Sequence, residues 1–201
     1  MITTSDIFRK IENRTKESNL KDKAAVLIPI IQVDNQLQLL FEVRSSKLKW
    51  QPSDICFPGG RMELIDNSPT DTAIRETSEE LGIAQNTIKI YGSLSPFLAN
   101  IGLKIYPVVG ELTSLQLNIN PDEVANTFSV PIEWFIEHPP IETTMEVAYK
   151  PGNNFPFHLI PNYTKTWQKL AQHNIYVYHY KNYVIWGLTA QIIRLFLQEI
   201  N

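Results

Sequence analysis

The sequence lacks the features that stabilise secreted proteins or anchor membrane proteins. It contains one cysteine, Cys56, so no disulfide can form within the chain. The longest apolar runs fall well short of the ~18 residues that span a bilayer. Residues 1–6 are largely polar and begin no apolar core of signal-peptide length. We therefore expect a cytoplasmic protein without a membrane partner.

Strong charge of either sign is also absent. The formal net charge is −3 over 201 residues. Proteins that bind nucleic acids through bulk electrostatics carry concentrated positive charge, so we expect no nucleic-acid partner. No repeat, low-complexity segment or break in composition divides the chain, which predicts a single domain over residues 1–201. The sequence leaves a homodimer open.

Apolar runs of strand length alternate with amphipathic stretches. Two strand-like runs, 24–33 and 37–43, flank an Asp-Asn pair and predict a hairpin. The other predicted elements are a helix at 5–16, a short strand at 55–57, strands near 88–95, 103–112, 124–130 and 175–180, a short helix from Pro131 and a final helix from about Trp186, with loops at 45–54 and 153–164. This mixture predicts an α+β or α/β sandwich.

A helix over 69–81 has clear signals at both ends. Ser68 can cap its first turn, Pro69 suits the first helical position, and Asp71 lies three residues past the cap. Gly82 follows where a helix ends in a left-handed residue.

Three carboxylates lie on one face of this helix. Glu76, Glu79 and Glu80 stand at i, i+3 and i+4, within a stripe about 100° wide. Such neighbours repel one another, and a hard divalent cation with oxygen ligands would relieve that repulsion. Arg75 precedes Glu79 by four residues and can pair with it. A solvated acidic face would explain the same pattern.

The residues before the helix favour the metal interpretation. Gly59 and Gly60 follow Phe57 and precede a short acidic loop that leads to the helix. Paired glycines let a backbone approach a ligand closely. We interpret them as a Gly-Gly turn that, with the glutamates, forms a metal–phosphate cradle and contributes to substrate binding.

At this point the sequence resembles the Nudix hydrolase family. The Nudix box reads Gly, five residues, Glu, seven residues, Arg-Glu, two residues, Glu-Glu, one residue, Gly and an aliphatic residue. Gly60 starts it here, and residues 75–83 match its second half without a gap. The first half departs, because Asp66 replaces the first Glu and is followed by eight residues before Arg75.

That departure resembles the coenzyme A diphosphatase branch of the family. The segments similar to that branch are 43–47, 55–60, 107–110, 122–124 and 186–190. The chain departs from the branch at Ser53-Asp54, where Gly-Glu or Gly-Gln is usual. The resemblance covers about residues 24–195.

The resemblance implies a Nudix-type α/β/α sandwich with a mixed central sheet, and it implies roles. Glu76, Glu79 and Glu80 would bind Mg²⁺ or Mn²⁺, with help from the carbonyl of Gly59, and Arg75 would orient a glutamate. Glu123 is the candidate for a base or extra ligand from a later loop, and an exposed loop residue is the alternative. Asp66 would either take part or only close its loop.

Cations around the glycines are candidates for phosphate recognition. Arg44 and Arg61 are the preferred members, and Lys47 and Lys49 lie nearby in the sequence. Coenzyme A carries a 3′-phosphate beside its diphosphate, which gives an extra cation a role. We interpret Cys56 and the C-terminal Tyr and Trp residues as core.

The expected reaction is hydrolysis of coenzyme A, or a derivative of it, to adenosine 3′,5′-bisphosphate and 4′-phosphopantetheine. The first alternative is another nucleoside diphosphate derivative, such as ADP-ribose or a dinucleotide. The second is a non-catalytic Nudix fold that binds a nucleotide. In each case the partner is a small nucleotide.

Overall fold

The computed structural model describes residues 22–99 and 102–200, so the helix predicted at 5–16 lies outside the described residues. The strands are β1 (Lys23–Val33), β2 (Gln36–Arg44), β3 (Ile55–Cys56), β4 (Gly59–Arg61), β5 (Ile88–Ser93), β6 (Phe97–Leu98), β7 (Lys104–Leu112), β8 (Val124–Pro131), β9 (Ile141–Tyr149), β10 (Gln168–Tyr180) and β11 (Tyr183–Trp186). The helices are α1 (Pro69–Leu81), α2 (Ile132–Glu137) and α3 (Gly187–Ile200), and a 3-10 turn covers Gln85–Thr87.

The central sheet is mixed, as predicted. Its main path runs β3-β2-β1-β7-β5, with β4 on β1, β6 on β7 and β8 on β2. The β1–β7 pair is parallel and the remaining pairs are antiparallel. A second sheet has the order β11-β10-β9.

The β1–β2 hairpin forms where the sequence predicts it. Val33 pairs with Gln36, which leaves a two-residue turn. Asp34 and Asn35 both adopt positive φ, 48° and 63°. Asn and Asp tolerate this left-handed conformation, and two-residue hairpins require it at both central positions.

Helix α1 has the predicted boundaries. The Ser68 hydroxyl accepts a hydrogen bond from the Asp71 amide at 3.2 Å, and Gly82 ends the helix at φ 62°. Helical spacing predicts that Ala73, Thr77 and Leu81 form a less polar stripe that faces the core, and all three are buried. This face packs on β1, so α1 covers one side of the central sheet.

Helix α3 covers the other side of the sheet. Ile28, Leu39 and Phe41 join Ile193 and Phe196 of α3 in one core cluster. Leu27 and Leu40, which are their neighbours along β1 and β2, belong to the core cluster under α1. Alternation along β1 and β2 therefore supplies both faces of an α/β/α sandwich. No described helix is long and apolar enough to cross a membrane.

Three details of the sequence interpretation were wrong. Strand β9 was not predicted, and β10 begins at Gln168 rather than near 175. All of β9 is exposed, yet its sequence alternates, with Met145 and Val147 on one face and Glu142 and Glu146 on the other, so a strand signal was present and was missed. Helical spacing predicts that Ile200 is buried with Ile193 and Phe196, but it is 48% exposed because it lies in the last turn of α3, beyond the core.

Candidate functional site

Gly59 and Gly60 form a strand, which corrects the expectation of a turn. They pair with Val26 and Ala25 of β1 as part of β4. A Cβ on Gly59 would collide with the backbone of Ala25 and Val26, and a Cβ on Gly60 would overlap the Glu76 carboxylate. The glycines therefore permit close approach: β4 lies against β1 on one side and against a helix glutamate on the other.

Glu80 is held against the same strand. Its carboxylate accepts a hydrogen bond from the Gly59 amide at 2.9 Å, and the residue is only 6% exposed. Burial, with repulsion from Glu76 and Glu123, raises the pKa of Glu80 to about 8, although the Gly59 hydrogen bond opposes this shift. The nearby cations therefore do not neutralise the negative charge of an ionised Glu80.

Glu42 on β2 is a further acidic residue, which the sequence interpretation missed. It is 1% exposed, and within the described part of the chain its Oε1 atom is buried without a hydrogen-bond partner. Burial raises its pKa well above the usual value, and Glu80, Glu123 and Glu76 add to the rise. The available signal was a glutamate inside the apolar run Leu-Leu-Phe-Glu-Val.

Glu76 and Glu123 complete an acidic cluster with Glu42 and Glu80. Burial also raises the pKa of Glu76, against the opposing charge of Arg75. Glu123 is exposed and precedes β8, and its carbonyl accepts a hydrogen bond from the Ser45 amide at 2.8 Å, which ties its loop to the end of β2. The structure thus brings together Glu76, Glu80 and Glu123 from the predicted set.

Glu79 lies at the edge of this cluster. Its side chain is 57% exposed, and its nearest cationic partner is Arg75 at 3.4 Å. Within residues 22–99 and 102–200, no three acidic, histidine or cysteine side chains are arranged to hold a metal ion. In this structure the Glu76 carboxylate forms an ion pair with Arg75 at 2.9 Å, and the Glu80 carboxylate accepts a hydrogen bond from Gly59. The two carboxylates therefore have separate partners and share none.

The chemistry of the cluster nevertheless fits a hard divalent cation. Four carboxylates act on one another, two of them almost fully buried, and one buried oxygen of Glu42 has no partner among the described residues. Buried like charges are costly unless a cation or a proton neutralises them. Oxygen ligands of this kind are those that Mg²⁺ and Mn²⁺ take in proteins.

Arg75 makes the predicted ion pair with Glu79 at 3.4 Å, but it pairs mainly with Asp66. Its Nε and Nη2 atoms donate to the two Asp66 oxygens at 3.0 and 2.9 Å. Asp66 also accepts from the Glu63 amide and the Thr72 hydroxyl. The hydrogen bond from Arg75 is the main cause that lowers the pKa of Asp66 to about 2. Asp66 therefore fastens the loop between β4 and α1, and Arg75 links this loop to Glu76.

The four cations predicted to surround the glycines separate in the structure. Arg44 ends β2 beside the acidic cluster, and its Nε is buried without a partner among the described residues. Lys47 is exposed and pairs with Asp122 at 2.9 Å. Lys49 is exposed in the loop after β2, and Arg61 is exposed at the end of β4. Arg44 alone combines a buried, unpartnered donor with closeness to the acids.

A pocket of about 280 Å³ lies next to Arg44. Its walls come from β3, from the loop before β3, from β9 and β10, and from the start of α3. The Thr189 hydroxyl of α3 donates to the carbonyl of Ile55 on β3 at 2.9 Å and so joins two of these walls. Trp186 is 40% exposed and lines the pocket, which corrects its assignment to the core.

Cys56 also lines this pocket. It is half-buried on β3, and burial raises the pKa of its thiol, followed by repulsion from Glu42 and Glu80. A thiol with a raised pKa stays protonated at neutral pH and is a poor nucleophile. Cys56 is therefore a small wall residue, in line with its interpretation as structural.

The sandwich fold and the glutamate helix facing a glycine strand define the class of protein. A model of the NUDIX domain matches residues 21–150, and the chain belongs to the Nudix family.

Two relatives agree with this family assignment, and one solved structure shares the fold. The chain is 35% identical to the peroxisomal coenzyme A diphosphatase of Mus musculus over 153 residues, which are 75% of this chain but only 64% of the mouse protein, less than two thirds of its length. It is 32% identical over 209 residues to an uncharacterized Nudix hydrolase, NudL, of Photorhabdus laumondii, with both chains fully covered. A MutT/nudix family protein from Enterococcus faecalis shares the fold, with a TM-score of 0.52 and 14% identity over 100% of this chain and 75% of that one.

The contact between Gly60 and Glu76 predicts a defined substitution effect. Gly60→Ala should lower kcat by about 10²-fold, because a displaced Glu76 misplaces the reacting groups by about 1 Å. The thermal midpoint should change little, since the Glu76 side chain can move. Steady-state kinetics and a melting curve measure both quantities. Gly92→Ala on β5 is the matched control, because its Cβ would meet nothing within 4 Å. Equal activity of both variants would contradict the prediction.

Proposed function

We propose that this protein is a metal-dependent hydrolase that cleaves the diphosphate of coenzyme A or its derivatives. The products are adenosine 3′,5′-bisphosphate and 4′-phosphopantetheine. The observation that carries the proposal is the cluster of buried carboxylates against β4, short of positive charge and adjoining a pocket edged by Arg44. We assign the activity to a single Nudix domain over residues 1–201.

Glu76, Glu79 and Glu80 are the proposed ligands of Mg²⁺ or Mn²⁺, and the buried position of Glu42 adds it to this set. A bound divalent cation supplies neutralisation of the diphosphate charge and a water of lowered pKa. Glu76 and Glu80 would exchange their present contacts with Arg75 and Gly59 for the ion. The backbone that carries them is fixed by α1 and β4.

The remaining residues position and activate the reactants. Arg75 holds Glu76 in place from an anchor on Asp66. Arg44 donates its unpartnered Nε–H to a phosphate oxygen, a charge-assisted hydrogen bond that orients the diphosphate. Glu123 accepts the proton of the attacking water from the rim of the cluster. Gly59 and Gly60 let β4 lie close to β1 and to Glu76, which keeps the backbone of β4 beside the bound phosphates, and Arg61 contacts these phosphates from the end of β4.

Two observations support coenzyme A over other diphosphates. The mouse relative at 35% identity is named as a coenzyme A diphosphatase. The branch-like segment at 186–190 also contributes four of the residues that line the pocket beside Arg44. ADP-ribose and dinucleotides remain the alternative substrates, because Ser53 and Asp54 differ from the residues usual in the coenzyme A diphosphatase branch. Ser53 adopts φ 63°, a conformation that glycine takes without strain.

A substrate panel tests the proposal. The protein is stripped of metal with EDTA and assayed with coenzyme A, ADP-ribose and NADH, with and without added Mg²⁺ or Mn²⁺. We expect turnover of coenzyme A only with metal, with products of the stated masses and label from isotopic water in one of them. Full turnover without metal would refute the metal requirement. Much faster turnover of ADP-ribose or a dinucleotide would refute the substrate, and binding without turnover would leave a non-catalytic Nudix fold.

A further inference from the structure

The pocket beside Arg44 is continuous with the acidic cluster. Cys56, which lines it, pairs across β2–β3 with Glu42. Arg44 lines it too and interacts electrostatically with both Glu42 and Glu80. A diphosphate bound at the acidic cluster therefore extends one of its two substituents into this pocket.

The lining is apolar with a few amide groups. The apolar members are Trp50, Ile55, Ala99, Met145, Ile175, Trp186 and Leu188, and the amides are Gln51, Asn174 and Gln191. Arg44 and Asp54 are the charged residues among its described walls, so their charges cancel. Such a surface takes an uncharged group that carries apolar carbon and a few hydrogen-bonding positions.

The two halves of coenzyme A differ in these properties. The nucleoside half carries a 3′-phosphate. In this pocket that phosphate would lie near the negative charge of Asp54, and Arg44 would not be available to neutralise it because it binds the diphosphate. The pantetheine half is a flexible, uncharged chain of methyl groups, two amides and a thiol. At about 280 Å³ the pocket is just below the roughly 300–1,000 Å³ of whole-ligand sites, so it suits one half of the substrate.

We infer that this pocket binds the pantetheine arm of the substrate and that the enzyme therefore selects coenzyme A by its uncharged end. The inference rests on the proposed function. It assigns recognition to β9, β10 and the start of α3, outside the acidic cluster.

Strand β9 offers a matched pair of substitutions. Met145 lines the pocket and is 49% exposed, so Met145→Trp fills the pocket without disturbing the core. Val147 lies two residues further on the same face of this exposed strand but does not line the pocket. Val147→Trp is therefore the control for adding an indole to β9.

Direct binding and product inhibition are the readouts. 4′-Phosphopantetheine and adenosine 3′,5′-bisphosphate are titrated calorimetrically into wild type and each variant, and both are tested as inhibitors of coenzyme A hydrolysis. Met145→Trp should weaken the binding of phosphopantetheine at least about tenfold, which corresponds to a loss of roughly 1.4 kcal/mol of apolar contact. The affinity for the bisphosphate should be unchanged. Its kcat/KM for coenzyme A should fall by the same factor. Val147→Trp should match wild type.

The failures of the two ideas are distinguishable. If coenzyme A is hydrolysed but Met145→Trp weakens the bisphosphate instead, the nucleoside occupies the pocket and the inference is wrong. If Met145→Trp leaves both products unaffected, the pocket is not a substrate site. If wild type neither cleaves coenzyme A nor binds phosphopantetheine, the proposed function and the inference fail together.

Discussion

Replacing Glu80 with glutamine should lower kcat by about 10²–10⁴-fold, the span expected when a positioned electrostatic or acid–base group is lost. The side chain keeps its shape and can still accept the Gly59 hydrogen bond, so the fold should survive. Glu137→Gln on α2, a conservative change at an exposed helical glutamate away from the cluster, is the control and should leave kcat unchanged. If Glu80→Gln stays within a few-fold of wild type, α1 is not the catalytic helix.

Glu80→Gln should lower activity but raise the stability of the folded protein at alkaline pH. In the folded, metal-free protein the pKa of Glu80 is raised to about 8. The protein therefore loses stability as pH rises from the unfolded pKa near 4.5 through about 8, because folding then requires a buried charge. Glu80→Gln removes this loss. Urea unfolding in EDTA at pH 5 and pH 8.5 should show a variant more stable than wild type at pH 8.5 only. An equal pH dependence of the two proteins would contradict the buried charge.

Replacing Arg75 with methionine should destabilise the fold by about 3 kcal/mol, because it leaves Asp66 buried with no counter-charge. The Asp66 side chain is 3% exposed, and Arg75 supplies two of its hydrogen bonds. Urea unfolding at pH 7 measures the change. Lys47→Met removes one member of an exposed pair and should have little effect, since such pairs contribute little to stability.

The double variant Asp66→Asn/Arg75→Met should recover most of that loss, because it removes both buried charges together. The pH dependence has a defined sign. The folded pKa of Asp66 is about 2, below its ordinary 3.8. The stability that the pair contributes is therefore complete above pH 4 and disappears as pH falls towards 2. A double variant as unstable as Arg75→Met would mean that Arg75 acts through packing instead.

Local signals in the sequence were sufficient where the chain itself fixes the structure. Ser68, Pro69 and Gly82 set the ends of α1, and helical geometry alone puts Glu76 and Glu80 on neighbouring positions. The hairpin turn follows from two residues that tolerate positive φ. These features depend on neighbours within a few positions, so spacing reveals them.

Features made by distant segments could not be predicted in this way. Glu42 becomes part of the site only because β2 lies beside α1 and the Glu123 loop in three dimensions. The pocket requires β3 to meet α3, residues 134 apart along the chain. The sequence predicts a turn at Gly59 and Gly60 because glycine pairs commonly mark one, whereas in the structure close packing against β1 and Glu76 requires them.

The hydrogen bond from Thr189 to Ile55 bears on the order in which the protein takes shape during synthesis. The residues that carry the carboxylates of β2, α1 and the loop before β8 have all been synthesised before residue 125 is added. The pocket wall formed by β10 and α3 follows only after the next fifty to seventy residues. Contacts across so long a stretch of chain form late, because closing a longer loop costs more entropy. A nascent chain therefore has its acidic residues in place before it has the wall that we assign to substrate choice.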